Sequence, residues 1–124
     1  MTALSGHFLR AATLYALIGM ALGIHMASSH DHSQMPTHAH IMLLGWVSMG
    51  LYGLFYRGLA EGPVSKLMQV HRWLAHIGLI GLVVALYGMF AGYLMLEPLA
   101  AISSIVVFIA MVLFTVIVFQ HTKA

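Results

Sequence analysis

Nine histidines, and no cysteine, are the residues of this chain that could do chemistry. Five fall in one short stretch: His25, His30, His32, His38 and His40, with Asp31 and Met35 among them. Without thiolates, any metal has to be held by imidazole, thioether, carboxylate or backbone oxygen, and imidazole suits haem iron, copper and zinc alike. His30, Asp31, His32, His38 and His40 make a mixed set able to hold copper or zinc at a surface, or a solvated histidine-rich loop. Asp31, Glu61 and Glu97 sit in or beside loops. They make no hydrolytic constellation and no carboxylate relay in mid-membrane.

The elements that position these rings are apolar. Of 124 residues, 61% are hydrophobic and 6% charged; the mean hydropathy is +0.96. Too little charge is present to cover a water-soluble domain, so the bulk of the chain belongs in lipid. Five basic residues against three acidic ones leave no footprint for nucleic acid, which is excluded as a partner.

Four apolar runs, about 8–27, 37–57, 72–95 and 99–120, predict an all-α integral membrane protein, a single domain of four transmembrane helices in an antiparallel bundle. The first run also allows a secretory signal peptide, but it is long for one and has no A-x-A cleavage site. Pro36 suits the first turn of the second helix. The fourth run is plain Ile, Val and Phe, a packing or lipid-facing helix. Arg10, Arg57, Lys66, Arg72 and Lys123 all fall at ends that alternating crossings put on one side. By the positive-inside rule that side, with both termini, is cytoplasmic. The expected location is a bacterial inner membrane, with the histidine-rich loop facing the periplasm or exterior. Gly19 with Gly23, and Gly88 with Gly92, have the G-x-x-x-G spacing of close helix contacts.

This topology sorts the histidines by depth. His25, His30, His32, His38 and His40 lie at the outer face; His7, His71, His76 and His121 lie at the inner one. From His40 to Arg57 the helix rises about 25 Å at roughly 1.5 Å per residue, so no single metal draws on both layers. Below His38, helical spacing lines up Met42, Gly45, Met49, Tyr52 and Tyr56. That face has small and polar groups suited to a flat cofactor, and Gly45 removes a side chain where a macrocycle could lie. His38 is the better axial candidate; His25, His40 or a histidine of a second subunit are candidates opposite. His76, one turn inside the third run, is a candidate for a second, inner haem or an ordinary interfacial histidine.

The stretch P-T-H-A-H-I-M-L-L-G-W-V-S-M-G-L-Y-G-L-F-Y, residues 36–56, resembles the second helix of haem-copper oxidase subunit I, especially that of C-type oxidases and nitric oxide reductases. The A-S-S-H-D-H end of the first helix and H-R-W-L-A-H-I-G of the third resemble small four-helix proteins described as oxidase subunit I-like. The resemblance implies that His38 is an axial ligand of haem b. The helices that would carry the second haem b ligand, the copper ligands and the high-spin haem ligand have no counterpart. What is implied is therefore haem or copper binding, not a complete oxygen-reducing centre. The resulting expectation is a haem b protein that carries electrons or binds a diatomic gas, in a homo-oligomer, with a respiratory electron-transfer partner. The alternative is a copper or zinc protein using the outer loop without haem.

Overall fold

The computed structural model describes residues 2–122, and among them the secondary structure is helical throughout. Lys123, one of the five charges used to orient the chain, lies outside the described residues. Helix α1 is Thr2–Ser29, α2 is Met35–His40, a π-helical stretch covers Ile41–Val47, and α3 is Ser48–Arg57. Helix α4 is Lys66–Phe90, a 3₁₀ turn covers Leu94–Leu96, and α5 is Glu97–His121. Four helical segments are long and apolar enough to cross a membrane: Ala3–Ser29, Met35–Arg57, Lys66–Phe90 and Leu94–His121. That is the build of an integral membrane protein.

Local signals set the boundaries. Ser65 caps α4, its hydroxyl accepting from the Met68 N–H at 3.2 Å, as short polar side chains do for the free donors of a first turn. The third helix ends at Phe90, earlier than the apolar run to residue 95 suggests. Gly92 follows with φ +108°, a conformation open to glycine and closed to most other residues. Composition alone does not report that stop. Pro36 sits in the first turn of α2, where its missing N–H costs no helical bond.

The helices pack as two pairs. Helix α1 lies along α2 and α3: Gly23 meets the His38 ring, Gly45 meets Tyr15, and Gly53 meets Leu9. Helix α5 packs on α4 along a seam whose buried members are Ser103, Ala110 and Ile117, one every seven residues. Gly78 and Gly81 receive Val107 and Ser103 there. Small residues let the two backbones close up, the usual basis of helix association in lipid.

Between the pairs the joint is made of rings rather than close backbones. Phe8 of α1, Tyr52 and Tyr56 of α3, His71 and His76 of α4 and Phe114 of α5 form one aromatic core. Phe8 stacks near Tyr56 at 5.6 Å and near His76 at 6.0 Å between centroids. Aromatic pairs at such separations each add about 0.5–1.5 kcal/mol beyond their buried area. The outward surface is Leu, Ile, Val and Phe, including Leu17, Leu51, Ile77 and Phe108, a continuous apolar coat that water would not tolerate and lipid does.

Candidate functional site

At one end of the bundle α1, α2 and the π-helical stretch hold His38 and His40. Thr37, fully buried, donates to the Gln34 side-chain oxygen at 2.7 Å, and the Gln34 amide donates to the Tyr87 carbonyl at 3.0 Å. These bonds pin the start of α2 to the end of α4. Just beyond His40 the backbone widens to i→i+5 pairing. Ser48 donates both its N–H and, at 2.8 Å, its hydroxyl to the Leu43 carbonyl. A π-helical turn inserts an extra residue into the helix and so re-aims what precedes it, and such turns are frequent at functional sites.

His38 crosses to α1. Its Nδ1 donates to the Gly19 carbonyl at 2.7 Å, and its ring lies against Gly23, where a Cβ would come within 2.9 Å of Cε1. Since a carbonyl only accepts, the proton is on Nδ1, which leaves Nε2 with a lone pair. His40 is held in the same manner within its own helix, Nδ1 donating to the Pro36 carbonyl at 2.7 Å. An imidazole fixed through one nitrogen by a backbone carbonyl is the arrangement that orients metal-ligating histidines.

The other outer histidines and Asp31 are more exposed than this pair. His25 is exposed and lines a cleft of about 320 Å³ together with Met26, Asp31, Gln34, Tyr87 and Phe90. His30 ends α1 in the left-handed region, φ 59°, a common helix terminator that usually selects glycine. His30, Asp31 and His32 are all exposed. The Asp31 carboxylate accepts from the Ser33 N–H at 3.0 Å, and that bond holds its carboxyl below the ordinary value of 3.8. Among the described residues, no three His, Asp or Glu side chains converge as a metal-holding group.

Gly45 is buried, and the space it leaves is taken by Tyr15: a Cβ there would meet Tyr15 Cβ and Cγ. The glycine thus serves contact between α1 and the π-helical stretch, where the sequence suggested room for a macrocycle. The face with Gly45, Met49, Tyr52 and Tyr56 is buried, while Val47, Leu51 and Leu54 are exposed.

In the other half of the bundle His76 is held on both nitrogens. Tyr15 Oη lies 2.8 Å from its Nδ1, and His7 Nε2 lies 2.9 Å from its Nε2. Both nitrogens of His76 are therefore engaged in hydrogen bonds within the bundle. His71, fully buried, has Nδ1 2.9 Å from Tyr56 Oη, while its Nε2 is buried without a hydrogen-bond partner. Phe8, Tyr52 and Phe114 wall this ring in.

The tyrosine partners of both histidines are what sequence reasoning missed. Tyr15 and His76 are 61 residues apart, and Tyr56 and His71 sit on different helices across a loop; only their burial with a polar end, as tyrosines facing the core, could have signalled them. His121 Nδ1 donates to the Ile117 carbonyl one turn back, at 2.9 Å. Compared with known proteins, the chain matches no family model, no curated protein and no solved structure.

Proposed function

We propose that the chain is a haem b-binding membrane protein whose iron ligand is His38, related to haem-copper oxidase subunit I through residues 36–56. The observation that carries this reading is the bond from His38 Nδ1 to the Gly19 carbonyl, which fixes the tautomer and leaves Nε2 as the donor. His38 and His40 fit the group in donor chemistry, each presenting a spare Nε2. Gly45 does not contribute space, because Tyr15 fills it.

Bound there, haem iron would carry one electron or, with an axial position open, a diatomic gas. The residues of this chain then have distinct tasks. Gly19 and Gly23 orient the His38 ring, Gln34 and Thr37 keep α2 in place, and the apolar coat sets the protein in lipid. His40, His25 or a histidine of a second copy would supply any further ligand. A homo-oligomer would supply the last, and four short helices enclose little room for a macrocycle by themselves.

In this reading the four crossings are antiparallel; for the first two, the order of contacts Gly23 with His38, Tyr15 with Gly45 and Leu9 with Gly53 supports it. Arg10, Arg57, Lys66 and Arg72 put both termini in the cytoplasm of a bacterial cell, with the histidine-rich loop outside.

The test is the visible spectrum of detergent-purified wild type and His38→Ala, oxidised and reduced, after expression with ample haem. A Soret band in the wild type that is lost in His38→Ala is expected. A featureless wild-type spectrum overturns the haem reading; copper or zinc retained through stringent washing and lost with His30→Ala and His32→Ala would then favour a metal-handling protein.

A further inference from the structure

Tyr15, His76 and His7 are three titratable side chains joined in series. The Tyr15 hydroxyl meets His76 Nδ1 at 2.8 Å, and His76 Nε2 meets His7 Nε2 at 2.9 Å. His7 lies at one wall of an open groove of about 570 Å³ along α1, lined also by Ala3, Gly6, Arg10, Ala11 and Leu14. Tyr15, at the other end, borders an apolar pocket with Ile18, Ile41, Ile80, Val83 and Val84.

A nitrogen facing a nitrogen requires that one carry the proton and the other accept it. Two arrangements satisfy the series. In one, Tyr15 O–H donates to His76 Nδ1 and His76 Nε2–H donates to His7 Nε2. In the other, His7 Nε2–H donates to His76 and His76 Nδ1–H donates to the Tyr15 oxygen. Moving each proton across one hydrogen bond converts the first into the second with Tyr15 left as a phenolate and His7 as an imidazolium; His7 then exchanges a proton with water at the open groove, and the reverse transfers return a proton to Tyr15. Every transfer breaks one O–H or N–H bond and forms one at the next ring, with nothing oxidised or reduced. Imidazole is suited to this because it accepts on one nitrogen and donates from the other.

We propose that Tyr15, His76 and His7 form a proton-transfer chain, exchanging protons between the bundle interior at Tyr15 and the groove beside Arg10. The charged groups near the chain are Arg72 on α4, whose guanidinium lies over Trp73 at 4.8 Å, and Arg10 on α1; Trp73 also meets the His7 ring edge-on. The neighbouring pair supplies an internal contrast. Tyr56 and His71 make the same first bond, at 2.9 Å, but His71 Nε2 is buried and has no partner, so a proton there goes no further. The inference is independent of haem binding.

The test is hydrogen–deuterium exchange of the imidazole N–H groups in ¹⁵N-histidine-labelled protein in lipid nanodiscs, with Tyr15 and Tyr56 followed by isotope-edited infrared spectroscopy. In wild type, His76 and Tyr15 are expected to exchange at least tenfold faster than His71 and Tyr56. His7→Phe, which removes the groove end of the chain, is expected to slow His76 and Tyr15 to the rate of the buried pair and leave His71 unchanged. Equal rates at His76 and His71 in the wild type overturn the proposal without any variant. So does a His7→Phe protein, folded by its unchanged His71 signal, in which His76 still exchanges fast.

Discussion

Two pairs of histidines, His38 with His40 and His71 with His76, are held by different means. At the α2 end, His38 and His40 lean on backbone carbonyls through Nδ1 and keep Nε2 spare. In the opposite half, His71 and His76 lean on tyrosine hydroxyls within an aromatic core. A carbonyl fixes a tautomer, since it can only accept. A phenol fixes none, since it can donate or accept. The first kind of site leaves a lone pair on Nε2, whereas the second lets protons redistribute within the chain. Counting histidines does not distinguish them, but the atom opposite each nitrogen does.

The largest expected break in this contrast is at Phe8, the ring shared by both tyrosine–histidine pairs. Phe8→Ala removes its fully buried side chain from between His71 and His76 and is expected to cost about 3–5 kcal/mol. Reversible unfolding in mixed micelles measures it. Phe119→Ala, at a site 77% exposed, is the matched control and should change stability little. Equal losses at the two sites would show that the aromatic core does not join the helix pairs.

A smaller effect sharpens the difference between the two tyrosines. Tyr56→Phe leaves the buried His71 ring with neither nitrogen satisfied, at an expected cost of about 1–3 kcal/mol. Replacing both partners by phenylalanine removes the unpaired polar group, so Tyr56→Phe with His71→Phe should be less destabilising than Tyr56→Phe alone. Additive losses would contradict the hydrogen bond as described. At the α2 end the comparable lever is Gly23→Ala, whose Cβ meets the His38 ring at 2.9 Å. It is expected to weaken the His38 to Gly19 bond, read as a shifted His38 ¹⁵N resonance, with His71 and His76 unmoved.

How far these features were legible in the sequence follows from the range of each signal. Four spans could be read because hydropathy is a local sum over about twenty residues. The polar composition of Ser28–Thr37 announced a loop, which the structure confines to residues 30–34 between α1 and α2, and the burial of Gly45, Met49, Tyr52 and Tyr56 against exposed Leu51 and Leu54 follows helical spacing. The π-helical stretch was not legible: nothing in the composition of Ile41–Val47 marks it, and its widened turn is a matter of hydrogen-bond register. Nor was the use of Gly45, because an absent side chain looks the same whether a cofactor or Tyr15 takes the space. Pairings such as Tyr15 with His76 depend on how α1 and α4 are rotated. Helices hydrophobic nearly all round carry little information about rotation.

The smallest expected effect lies in the water-exposed loop, where titration is simple. The Ser33 N–H bond holds the Asp31 carboxyl below its ordinary 3.8. A depressed carboxyl pKa means that the bond stabilises the turn above the unfolded value, and that this contribution fades as pH falls through the lower, folded value. Below pH 5 the Ser33 amide resonance should therefore move with a midpoint under 3.8, while a peptide of residues 28–37 titrates near 3.8. Asp31→Asn keeps an acceptor without the charge and should abolish the titration with little change in fold. A midpoint at or above 3.8 would mean that the turn does not hold Asp31. Histidines at this end would then be presented by a loosely ordered loop, and the contrast with the ring-locked histidines of the other half would become one of order as well as of partners.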